Sequence, residues 1–192
     1  VELLGQPELL SEPEVGEWTY VVTASKGVSL RRSLSFDKEE SVQRQLAEGE
    51  IVVVCQRLRT LGASFFGIRP EATATQQLLW AFNLDAPTAS ASISSSSDSM
   101  VEAVVENGLW SAVVASADGV RAMSRISMAS IRIDIEEEHI IPTGTRVELQ
   151  QRVRIGNTSF LRLVGDTEQR WLIDAQGDEV LVDNICDLLG DK

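Results

Sequence analysis

Side chains able to do chemistry are few in this sequence, and their spacing does not favour it. The one histidine, His139, follows Glu136-Glu137-Glu138. A metal centre built on it would need more nitrogen and sulfur ligands than the chain offers. Consecutive glutamates in a strand point to alternating faces and do not converge, so the run reads as a solvated loop. No Gly-x-x-x-x-Gly-Lys-Ser/Thr or Gly-x-Gly-x-x-Gly element is present to cradle phosphates. A serine nucleophile would have only His139 as its base, with no local signature around it. Paired carboxylates always arise among 29 acidic residues and identify nothing. The expectation is a protein without catalysis, cofactor or metal.

Cysteines and tryptophans remain. Cys55 lies in the apolar run Ile51-Val52-Val53-Val54, where a small buried thiol is expected, and Cys186 lies far along the chain. A bond between the two would have to join the two halves, and the sequence leaves that open. Trp18, Trp80, Trp110 and Trp171 can all serve as core, since aromatic rings carry most of the burial in small β domains. Alternatively one pair lines a groove for an extended peptide, and Trp80 and Trp171 are the candidates for that role.

Charge narrows the partners. With 29 acidic and 17 basic residues among 192, the formal net charge is −12. Such a field repels phosphate backbones, and counterion release requires clustered Lys and Arg. Only Arg31-Arg32 and the pair Arg57 and Arg59 approach a cluster, so no nucleic acid is expected. Anionic lipid surfaces are disfavoured for the same reason. No apolar run reaches the roughly 18 residues that a spanning helix needs. The start at Val1 points to processing and leaves the compartment open.

The elements that must position these residues come in two copies. Gly16-Glu17-Trp18-Thr19-Tyr20-Val21-Val22 matches Gly108-Leu109-Trp110-Ser111-Ala112-Val113-Val114 at an offset of 92, and Gly27-Val28 matches Gly119-Val120. Gln56-Arg57 and Gln151-Arg152 follow at an offset of 95, and Gly49 with Gly144 likewise. Thr75-Gln76-Gln77 with Trp80 echoes Thr167-Glu168-Gln169 with Trp171. Internal similarity of this kind marks a duplicated unit.

Each copy shows short β-branched stretches broken by glycine turns, the pattern of a small barrel or sandwich. In the first copy these are Thr19–Thr23, Val28–Arg31, Ile51–Cys55, Phe65–Arg69 and Leu78–Phe82. In the second they are Ser111–Ala115, Val120–Met123, Arg146–Arg154, Ser159–Val164, Trp171–Ala175 and Glu179–Val182, with a short terminal helix over Asn184–Leu189. Residues 1–15 form an extended acidic arm, 16–85 the first module, 86–107 a Ser-rich linker with a short helix, and 108–192 the second module. The helix rests on the capping box Ser99-Met100-Val101-Glu102 and the stop signal Asn107-Gly108.

These residues resemble the bacterial Src-homology-3-like domain. The first copy carries the pattern in Gly27-Val28-Ser29-Leu30-Arg31, in Val42 with Leu46 to Val52, in Phe66-Gly67-Ile68-Arg69 and in Trp80. The second carries it in Gly119-Val120, Ile141 to Val147, Phe160-Leu161-Arg162-Leu163 and Trp171-Leu172-Ile173. Leu79 and Arg170 depart from the glycine usual before the last tryptophan, and the stretch Ser127–Glu138 is a longer insertion. The resemblance implies an all-β chain of two small barrels in tandem, each a binding module without chemistry of its own.

Two functions follow as expectations. One is a non-catalytic interaction or scaffolding protein, an accessory subunit that bridges or caps protein partners. The other is a module for a polymer or peptide, such as cell wall or glycan. The second predicts a groove with aromatic and polar groups in both copies.

Overall fold

Runs rich in Val, Ile, Thr and aromatic residues suit a pleated, half-buried surface, and here they pair into antiparallel sheets. The computed structural model describes residues 12–70, 77–84, 99–128, 140–166, 170–175 and 177–183. The chain divides into two units, Val1–Glu102 and Ala103–Lys192. The first holds β1 (Glu14–Val22), β2 (Val28–Arg31), β3 (Ser41–Leu46), β4 (Ile51–Thr60), β5 (Ala63–Ile68), β6 (Leu79–Leu84) and β7 (Met100–Glu102). The second holds β8 (Val104–Val114), β9 (Val120–Met123), β10 (Ile140–Ile141), β11 (Arg146–Ile155), β12 (Thr158–Leu163), β13 (Trp171–Asp174) and β14 (Val180–Asp183).

The strand orders are β3-β2-β6-β5-β4-β1-β7 and β10-β9-β13-β12-β11-β8-β14. One maps onto the other strand for strand, so the duplication seen in the residues is a duplication of topology. Loop bonds repeat as well: Gly49 N–H donates to Val22 O, as Gly144 N–H does to Val114 O. At the hairpin tips Gly62 and Gly156 take φ of 89° and 59°, a region that Cβ-bearing residues avoid.

Three expectations are corrected. Neither sheet closes into a barrel: each order has two unpaired ends, β3 and β7 in one, β10 and β14 in the other. The linker helix is absent, because Met100-Val101-Glu102 pairs with Tyr20-Val21-Val22, and β8 begins at Val104. A capping box contributes about 1 kcal/mol, whereas Val101, Val104 and Val105 are poor helix formers that pair well in a sheet. Gly108 keeps a negative φ inside β8 and is no helix stop. Finally, Glu14 and Val15 belong to β1 rather than to an arm. The terminal helix, most of the linker and Glu136 to His139 lie outside the described residues.

Each sheet packs its inner face on an apolar core. In the first unit this face carries Val22, Leu30, Leu46, Val54, Phe66, Ala81 and Met100. In the second it carries Ala112, Val114, Val120, Leu149, Leu161, Leu172 and Val180. The outer face of the first unit holds a smaller cluster of Leu58, Ala63 and Phe65 against Leu34, Phe36, Trp80 and Phe82. Phe36 stands edge-on to Phe82, with ring centroids 5.1 Å apart. No helix among the described residues is long and apolar enough to cross a membrane.

A side-chain clamp holds the rolled form. Asn83 on β6 donates from Nδ2 to Met100 O at 2.8 Å, and its Oδ1 accepts from Ser99 N and Met100 N. β7 is four strands away from β6 in the ladder, so the sheet must curl for them to meet. Asp174 does the same work in the second unit, accepting from Gly177 N at 2.7 Å and Glu179 N at 3.2 Å. Asn83→Ala strands buried backbone donors and is expected to lower stability by about 1–3 kcal/mol. Asn83→Asp keeps the acceptor and should lose less. Urea unfolding of both variants checks this, and equal losses would remove the clamp.

Candidate binding site

The site starts from an irregularity in the central ladder. On β1, Gly16 and Glu17 together face the single residue Cys55 of β4, and the register shifts between Val15 and Trp18. On β8, Gly108 and Leu109 stand in the same way against Gln150. Against their other neighbours the extra residue lies on β4 and β11 themselves: Val54 pairs with Ile68 and Gln56 with Gly67, and Leu149 with Leu163 and Gln151 with Arg162. Side chains alternate along a strand, so that extra residue reverses which face the following ones occupy. Before the bulge Val52 and Val54 point into the core. After it Arg57 and Arg59 share that inner face, while Leu58 joins the outer cluster. The second unit repeats this with Arg152 and Arg154 inward, and Val153 outward and buried.

Glycine is required at the bulge for a packing reason. A Cβ on Gly16 would lie 2.7 Å from the Trp18 indole, and one on Gly108 would lie 2.7 Å from the Trp110 indole. Each indole therefore folds back over its glycine. This explains the Gly-x-Trp element that both copies share. It also puts Trp18 and Trp110 on the inner face, half-buried against the cores.

Arg57 ties several strands together. Its guanidinium carbon stands 3.8 Å from the Trp18 ring centroid, a cation–π contact. It donates to Glu14 from Nε at 3.1 Å, and from Nη1 to Glu102 at 2.9 Å and to the Tyr20 hydroxyl at 3.4 Å. Partial burial alone would lower its pKa; the Tyr20 hydroxyl, Glu102 and Glu14 outweigh that and raise it. In the second unit Glu106 accepts from both Arg152 and Arg154, the latter at 3.2 Å.

Beyond these ion pairs each inner face opens into a pocket. The first has a volume of about 310 Å³ and is lined by Arg57, Arg59, Ser64, Phe66, Asn83 and Met100 among others. The second, about 720 Å³, is lined by Arg152, Arg154, Ser159, Leu161, Asp174 and Val180 among others. These are the same positions. Arg59 pairs with Ser64 across β4 and β5, as Arg154 pairs with Ser159 across β11 and β12. Ser64 in turn pairs with Asn83, and Ser159 with Asp174. Two arginines and a serine recur identically, over a floor that is apolar in both.

Trp80 and Trp171 stand elsewhere. Trp80 is half-buried on the outer face against the cluster of Leu58 and Phe65. Trp171 is 8% exposed and pairs with Met123. Neither lines the two pockets. Cys55 is a free, half-buried thiol whose sulfur lies 3.3 Å from Gly67 O. Among the described residues no cluster of His, Cys, Asp and Glu is arranged to hold a metal ion. Sequence reasoning passed over the arginines as binding residues, although Gln-Arg-x-Arg stands in both copies at an offset of 95.

No family model matches the chain. No curated protein matches it either. Among solved structures the chain is similar to a candidate autolysin from Listeria monocytogenes, with 13% identity and a TM-score of 0.32 over 88% of this chain. It spans 64% of the length of that structure. A likeness of that size transfers neither fold nor function. Among the described residues the chain is an all-β protein of two equivalent rolled sheets, each with an arginine-lined pocket.

The glycine–indole contact makes a prediction. Gly16→Ala should destabilise the first unit by about 1–3 kcal/mol through overpacking. In a Trp18→Ala background the same substitution should cost almost nothing, a coupling that a double-mutant cycle of denaturation midpoints measures.

Proposed function

We propose that the chain is a non-catalytic binding protein that holds a polymer or peptide ligand at an equivalent pocket in each unit. The observation that carries this reading is the recurrence of the Arg, Arg and Ser set, at identical register, around an apolar floor in both units. A structural ion pair needs one arginine, and Arg57 fulfils that role with Glu14. Nothing in the core calls for Arg59, which is exposed at the pocket.

Such pockets suit an extended chain of repeating polar groups. Guanidinium forks and a hydroxyl read amides, hydroxyls and carboxylates by hydrogen bonding, and the floors of Phe66 with Met100 and of Leu161 with Val180 accept apolar portions. Two sites on one chain raise avidity for a ligand built of repeating units, by about 10²-fold or more when both engage.

Co-sedimentation of the protein with insoluble wall polymer and with chitin, followed by extraction from its own cell lysate, tests the reading. Arg59→Ala or Arg154→Ala alone should weaken retention on a repeating ligand by about tenfold or more. The double variant should abolish it without loss of fold, as judged by circular dichroism. A stoichiometric protein partner captured equally well by the double variant would replace this reading with that of a scaffolding subunit.

A further inference from the structure

The two pockets share their arginines and serine but place their carboxylates differently. In the first unit one guanidinium, Arg57, lies between two carboxylates, Glu14 and Glu102. In the second, one carboxylate, Glu106, lies between two guanidinium groups, Arg152 and Arg154. With Arg59 counted in the first pocket and Asp174 in the second, each holds two guanidinium groups and two carboxylates, and the pockets differ in where those carboxylates sit. Two register positions differ: Glu102 of β7, opposite Tyr20, has Val182 of β14, opposite Ala112, as its counterpart, and Asn83 of β6 has Asp174 of β13.

Exposure sharpens the contrast. The side chains of Glu14 and Glu102 are 57% and 56% exposed, so an anion approaching Arg59 meets two solvent-facing carboxylates. Glu106 is 33% exposed and enclosed by its arginines, while the side chain of Arg154 is 46% exposed. Asp174 also lines the second pocket, but it is buried, and its Oδ1 accepts from the amides of Gly177 and Glu179. The chain's net charge of −12 opposes any anion. At physiological ionic strength, though, charges beyond about 8 Å are largely screened, which leaves the groups around each pocket, and how exposed they are, to decide.

We infer that the pocket of the second unit takes a carboxylate group of the ligand and that the pocket of the first unit rejects one. A planar carboxylate meets the exposed edge of the Arg154 fork, with the Ser159 hydroxyl beside it. The first pocket is left to neutral or cationic groups of the same ligand. This assignment rests on the pockets being the binding sites proposed above. It adds that the duplicated sites have diverged in the exposure of their carboxylates, and hence in which group each reads.

The test is a titration of the full-length, ¹⁵N-labelled chain with succinate and, separately, with its neutral diamide, succinamide. Succinate is expected to shift the Arg152 and Arg154 Nε–H signals and the Ser159 amide while leaving those of Arg57, Arg59 and Ser64 in place. Succinamide and the Arg154→Gln variant should each bind about tenfold more weakly, the loss of one charge-assisted hydrogen bond. Glu102→Val, which removes one of the two exposed carboxylates of the first pocket, should make the Arg59 and Ser64 signals respond to succinate. Equal responses to succinate in both wild-type pockets, or equal affinity for acid and diamide, would overturn the inference. Polymer retention that is lost in the arginine variants while succinate binds neither pocket defeats this inference and leaves the binding function standing. Polymer retention indifferent to both arginines, with succinate still held by the second pocket, does the reverse.

Discussion

The structure depends on one extra residue in the central ladder. Cys55 of β4, unmatched against β5, and Gln150 of β11, unmatched against β12, each break the alternation of a long strand. Without that break the alternation of Val52 and Val54 would carry Leu58 onto the inner face and turn Arg57 and Arg59 outward. With it, one strand serves two environments. Its first half builds the apolar core and its second half lines a polar pocket, while the small outer cluster takes Leu58.

The bulge is stabilised by the residues that make it. Glycine allows the indole two positions on to lie flat across the irregular backbone, and the covered glycine keeps the tryptophan on the inner face. In the first unit that indole offers its ring to Arg57, which links the bulged strand to Glu14 at its own start and to Glu102 on the terminal strand. A surface ion pair contributes little by itself, about 0–1 kcal/mol. Here the geometry matters more than the energy, because the pairs fix where the arginine heads sit around the pocket.

The rolled form of each sheet has a similar economy. Among the described residues no backbone ladder joins the two edges, and Asn83 and Asp174 instead tie an interior strand, β6 or β13, to the segment entering the last strand by hydrogen bonds. These residues lie at the same register and satisfy the same amide, Ser99 N in one unit and Glu179 N in the other. A clamp of this kind leaves the end of the inner face open, and there the pocket forms. Duplication has preserved the clamp and the arginines while changing the charge opposite them.

By itself the sequence determined the duplication, the all-β character and most of the strands. These follow from local patterning: Gly-x-Trp and Gln-Arg recur at near-constant offsets, and β-branched runs alternate between glycine turns. Local signals failed where they competed with a neighbouring strand. Ser99 to Glu102 reads as a helix start, yet the open edge of β1 captures it, because paired backbone groups outweigh a single cap. The pocket was not legible. Which face Arg57 and Arg59 occupy depends on a bulge, which in turn depends on two strands far apart in the chain, so periodicity within one strand cannot show it. The tryptophans drew attention by type, but it is the fold of the sheet that set Trp80 and Trp171 on the outer face and the arginines on the inner one.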